Sequence, residues 1–115
     1  MQNPNDLPKL VHSYLDDMKA LEVLELDVRK LTTLTDTMLI ATGTSSRHVS
    51  AIVDHVLLQT KREEIPIYGV EGKQNSEWVL VDYGDLLVHV MQRTTRELYQ
   101  LEKLWTPIES DERVV

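Results

Sequence analysis

The 115-residue chain contains no cysteine and no phenylalanine, and it is short of basic side chains: 12 Lys and Arg against 19 Asp and Glu, a net charge of −7. Without cysteine there is no disulfide, thiol nucleophile, thiolate zinc site or iron–sulfur cluster. That absence agrees with a reducing cytosol. The acidic balance is a poor match to a phosphate backbone, which rewards clustered cations. A nucleoprotein particle would therefore be met mainly through one of its basic proteins, with minor RNA contact left open. No apolar run approaches the roughly 20 residues that cross a bilayer. Met1-Gln-Asn-Pro-Asn-Asp6 has no basic, apolar or Arg/Ser-rich targeting character. The expected setting is the cytoplasm, with no membrane partner.

What is present suits one globular domain. Apolar residues make up 42% of the chain, a normal share for a packed protein, and a chain of this length supports one core rather than two. That core is built from Leu, Val and Ile, with two Trp and four Tyr.

Periodicity divides the chain into elements. Leu7, Leu10, Val11, Tyr14, Leu15 and Met18 recur at helical spacing, with Asp6 as N-cap and Pro8 tolerated in the first turn. The period then becomes two: Leu24, Leu26 and Val28 share one face of a strand over 22–29. After a polar connection, a second strand runs from Thr37 to Thr42 and ends at Gly43. Val49, Ile52, Val53, Val56 and Leu57 mark a second helix, closed by Lys61-Arg-Glu-Glu64. Pro66 bars its continuation, and 65–70 reads as a short edge strand. Strands over 78–83 and 86–91 meet at Gly84-Asp85 as an antiparallel hairpin. Leu98, Leu101, Leu104 and Trp105 form the apolar face of a last helix.

The order α-β-β-α-β-β-β-α predicts an α+β domain with a single mixed β-sheet packed with helices, over residues 1–106. Residues 107–115 read as a loose tail. The strand–helix–strand step from Met38 to Tyr68 favours a parallel pair.

Chemistry is sparse. Gly43-Thr-Ser-Ser-Arg-His48 joins a strand to a helix and offers N–H groups to an anion. It lacks the spacing of a phosphate loop, so a turn with an N-cap is favoured. Asp82, Asp85 and His89 raise the idea of a metal or acid–base site, but turn carboxylates plus a surface histidine are favoured. His48 and His55 stand seven apart, farther than a metal pair on a helix, and His12 stands alone. No metal and no cofactor are assigned. Apolar surface is the better signal. Alternation puts Val79, Val81, Leu86, Val88 and Val90 on one face of the hairpin. Trp78, Leu80, Asp82, Leu87, His89 and Met91 fall on the other, as core or as a partner surface.

The motifs Thr35-Asp-Thr-Met-Leu-Ile-Ala-Thr-Gly-Thr-Ser-Ser-Arg-His-Val49, Glu71-Gly72, Trp78-Val-Leu-Val-Asp-Tyr-Gly-Asp85, Val88-His89 and Tyr99-Gln-Leu-Glu-Lys-Leu-Trp105 occur in one series. In order and spacing they resemble the ribosomal silencing factor (Iojap) family. The resemblance implies a nucleotidyltransferase-like fold without catalysis. It also implies binding to large-subunit ribosomal protein fourteen and blockage of small-subunit joining; relatives also self-associate or assist large-subunit assembly. The nucleotidyltransferase Asp-x-Asp pair is absent, and Asp27 stands alone on the first strand, so Mg²⁺-dependent phosphoryl transfer lacks its carboxylates. On this reading the partner surface is Trp78, Leu80, Asp82, Tyr83, Asp85 and His89, with Trp105. The alternatives are a degenerate nucleotidyltransferase using Gly43 to Ser46, or a homodimeric scaffold.

Overall fold

The computed structural model describes residues 6–100 and 103. Its elements are α1 (Leu7–Asp17), β1 (Leu21–Asp27), β2 (Thr37–Gly43), α2 (Ser46–Arg62), β3 (Gly69–Glu71), β4 (Trp78–Asp82), β5 (Leu86–Gln92) and α3 (Arg93–Tyr99). The order is the one the periodicity predicts, and the five strands form one mixed sheet. The expected tail and the far end of the last helix, with Leu101, Leu104 and Trp105, lie outside the described residues.

The strands lie in the order β1-β2-β5-β4-β3. β2 and β5 are parallel, with Thr37 opposite Leu86 and Gly43 opposite Gln92, and the other pairs are antiparallel. The parallel pair expected from the step through α2 therefore exists, but between other strands. Leaving α2, the chain crosses to the far edge as β3 and returns through β4 before β5 takes the place beside β2. β3 is also shorter than expected. Ile65 and Ile67 pack against the core as a connection, and ladder pairing begins only at Gly69.

α1 and α2 cover one face of the sheet. Val11 and Leu15 of α1 and Val49, Ile52, Val53 and Val56 of α2 pack on Leu39, Ala41, Val79, Val81, Val88 and Val90. The stripes read from the sequence are thus the buried ones. Ser45 caps α2, its Oγ accepting from the His48 N–H at 3.1 Å. Asp6 precedes α1 without a side-chain cap hydrogen bond.

The opposite face carries a smaller core of Val28, Met38, Ile40 and Met91, against which Leu26, Trp78 and Leu87 pack. α3 lies at one end of this face. Of the apolar face read for this helix only Leu98 lies among the described residues, and it is 75% exposed. The side chain α3 buries is Arg96, whose Nη1 donates to the Glu22 carbonyl at 2.6 Å and to Thr42 Oγ1 at 2.9 Å. Glu22 has φ +50, where the β1–β2 register shifts between Leu21 and Leu24, so its carbonyl depends on a donor from outside the ladder. Arg96→Met keeps the stem and removes the charged donors. It should lower stability by about 2 kcal/mol in a thermal melt, the usual loss for charge-assisted hydrogen bonds to buried groups.

Candidate partner-binding surface

The hairpin register places Trp78 opposite Met91, Leu80 opposite His89 and Asp82 opposite Leu87. Alternation then turns all six side chains to the face away from α1 and α2, as expected. This face is divided. At the end near α3, the Trp78 ring lies 5.1 Å from Tyr99, centroid to centroid, and Trp78 is half-buried.

His89 does not lie at the surface, contrary to expectation: it is 7% exposed. β5 is a central strand, so His89 sits between Ile40 of β2 and Leu80 of β4, with the Trp78 indole beside it. Trp78 Nε1 donates to His89 Nδ1 at 2.9 Å. The neutral ring must therefore carry its proton on Nε2, which is buried without a hydrogen-bond partner. Burial pushes the His89 pKa down to about 4.

The other end of the face is open. Leu34, Tyr68, Leu80, Asp82, Asp85 and Leu87 surround a hollow above the hairpin turn. Leu34 is 80% exposed and Tyr68 70%. Asp82 Oδ1 accepts from the Gly84 N–H at 2.8 Å and holds the turn. The Asp85 carbonyl accepts from the Asp36 and Thr37 N–H groups at 3.1 and 3.0 Å, tying the turn to the start of β2. Gly84 has φ +88, and the Tyr68 ring lies against it. No Lys, Arg or His lines the hollow.

Asp82, Asp85 and His89 thus serve separate local purposes, the turn and the indole. Among the described residues no three His, Asp or Glu side chains are placed to hold a metal ion. Tyr83 belongs to the main core, packed on α2 rather than on the last helix. Thr60 Oγ1 gives its proton to the Val56 carbonyl at 2.9 Å, so the Tyr83 hydroxyl donates to Thr60 across 3.0 Å. Burial pushes the Tyr83 pKa up to about 12.

The Gly43–His48 segment uses its polar groups on itself. His48 Nδ1 accepts from the Thr44 N–H and Nε2 donates to the Met18 carbonyl, each at 2.9 Å. This is the turn-and-cap arrangement. His12 Nδ1 lies 3.3 Å from Asp16 Oδ2, one helical turn on.

Sequence reasoning missed Leu34 and Tyr68, the two most exposed large side chains at the hollow. Leu34 lies in a Thr-rich connection where no period assigns it a face. The one available signal was a leucine with no packing role.

An α+β sheet protein with an apolar, acid-lined hollow has the build of a macromolecule-binding module. The chain belongs to the family described as ribosomal silencing factor during starvation, which it matches over residues 1–115. Membership carries a ribosome-associated silencing role at the level of the family. A ribosomal silencing factor of Haemophilus influenzae is 47% identical over 91 residues, 79% of this chain and 89% of that protein. A crystal structure of a Chromobacterium violaceum protein superposes with a TM-score of 0.87 at 37% identity, covering 99% of this chain and 100% of that one. A mouse protein named for mitochondrial assembly of the ribosomal large subunit is 36% identical over 104 residues. The match takes in 88% of this chain and 45% of the mouse protein.

Proposed function

We propose that this chain is a non-catalytic translation repressor of the cytoplasm that docks on the large ribosomal subunit and obstructs the small one. Its partner is a basic ribosomal protein, large-subunit ribosomal protein fourteen on the family resemblance. The observation that carries the reading is the hollow at the hairpin turn. Leu34, Tyr68, Leu80 and Leu87 supply apolar contact, Asp82 and Asp85 supply negative charge, and no cation lines it. Such a surface favours a basic protein patch, where apolar contact gives affinity and complementary charge gives orientation and rate. The mouse relative's name, tied to assembly of the large subunit, supports the large subunit as the particle that is met. On the catalytic side, the one aspartate of β1 is engaged: Asp27 Oδ1 and Oδ2 accept from Arg29 Nε and Nη2 at 3.0 and 2.6 Å.

Leu34→Asp and Tyr68→Ala remove the two exposed anchors and should leave the melting temperature near wild type. Each should weaken co-sedimentation with purified large subunits by roughly tenfold or more, the effect of losing one binding hot spot. Subunit joining on a sucrose gradient should recover in parallel. A wild-type chain that neither comigrates with large subunits nor alters joining at saturation would sink the reading.

A further inference from the structure

A second pocket opens around the corner from the hollow. It lies between the N-terminal turn of α1, the C-terminal end of α2 and the starts of β2 and β5, with a volume of about 390 Å³. Its apolar walls include Leu7, Leu10, Ile65, Pro66 and Leu86. Four exposed carboxylates line it as well: Asp36, Glu63, Glu64 and Asp85. None of the four makes an ion pair among the described residues. No Lys, Arg or His lines this pocket either.

Other features reinforce the bias toward a cation. α2 runs 17 residues and ends at the pocket, so the negative end of its dipole adds to Glu63 and Glu64, while Lys61 and Arg62 of its last turn stay outside the lining. Glu64 is held at φ +59, and the chain turns back there through the Ile65 N–H to the Thr60 carbonyl. The N-terminus of the 11-residue α1 opposes this bias with the positive end of its own dipole, and Pro8 reduces that by removing one of the free N–H groups. The Tyr83 hydroxyl spends its proton on Thr60 and can only accept. Tyr68 and Tyr83 each contribute to both the pocket and the hollow, and so does Asp85. The two depressions therefore form one surface folded over the Tyr68 ring.

Apolar walls, an aromatic ridge and acceptors of negative charge fit an alkyl stem ending in a cation, the form of a lysine or arginine side chain. We infer that this pocket receives a Lys or Arg side chain of the basic protein that the hollow contacts, so that the partner wraps the Tyr68 ridge. The inference rests on the ribosome-binding reading, and the continuity of the two depressions makes the partner the occupant.

The test compares large-subunit binding of the full chain across a salt series for three proteins. Asp36→Asn/Glu63→Gln/Glu64→Gln removes three of the four carboxylates and keeps Asp85, which the hollow shares. Glu25→Gln/Glu77→Gln/Glu97→Gln removes the same charge from exposed carboxylates elsewhere. The pocket variant should bind roughly tenfold more weakly, with a flatter salt dependence, while the control stays near wild type. Thermal melts of both should match wild type. Equal binding by the two variants, with Leu34→Asp still defective, would overturn the pocket and leave the ribosome-binding reading standing. Failure of the wild-type chain to bind large subunits would remove both. If light scattering instead shows that the pocket variant loses self-association while keeping subunit binding, the occupant is a second copy and the assignment is wrong.

Discussion

His89 should cost the folded protein on the order of 3 kcal/mol of stability as the pH falls from 6.5 to about 4. Above pH 6.5 the residue is neutral in both states and contributes no pH dependence. Between 6.5 and about 4 the unfolded chain takes up a proton that the folded chain refuses, so acid favours unfolding. Below about 4 both forms are charged and this loss is complete. Two physical causes act together. Burial penalises the imidazolium, and protonation would place a second N–H on Nδ1, facing the Trp78 N–H that now donates to it at 2.9 Å. Denaturant titrations of wild type and His89→Gln over this range isolate the residue, because all other groups are shared. The wild-type curve should fall more steeply by about that amount. Parallel curves would mean that His89 titrates normally when folded.

The same residue shows where sequence reading runs out. Period two fixed which face His89 occupies, and the register agrees. It could not say how deep that face lies, because depth depends on β5 standing between β2 and β4 and on the neighbouring indole. The helix α2 was legible almost to the residue, since its cap, its stripe and its charged end are all local signals. Strand partners were not local. Nothing between Met38 and Tyr68 records that the place beside β2 is kept for a strand 49 residues on, as the pairing of Thr37 with Leu86 requires. Arg96 inverted the usual expectation for a charged residue on a short helix. Its burial answers a carbonyl 74 positions away at Glu22, which no window of sequence contains. The partner surface was legible where the hairpin alternates and illegible at Leu34 and Tyr68, which reach it from connections.

Gly72→Ala should destabilise the fold by about 3 kcal/mol or more, and it should do so through the start of β4. Gly72 has φ +88, and a Cβ there would lie 2.1 Å from the Trp78 carbonyl oxygen. Positive φ alone costs a non-glycine residue on the order of 1–3 kcal/mol, and a backbone oxygen at that distance cannot rotate aside as a side chain would. The chain must either open the turn, which the Ser76 N–H closes onto the Gly72 carbonyl at 3.2 Å, or displace Trp78. Displacing Trp78 removes the donor to His89 and the ring packed on Tyr99, so the strain spreads into the outer core. Gly69 on the edge strand is the internal control. It has no atom within 4 Å of an added Cβ. Gly69→Ala should therefore change stability by no more than about 1 kcal/mol, in the stabilising direction if the lower entropy of the unfolded chain dominates. Thermal melts of the two variants, with Trp fluorescence as the second readout, test both halves. Equal losses at the two positions would show that the turn yields without moving Trp78, and the link between Gly72 and the hairpin face would fail.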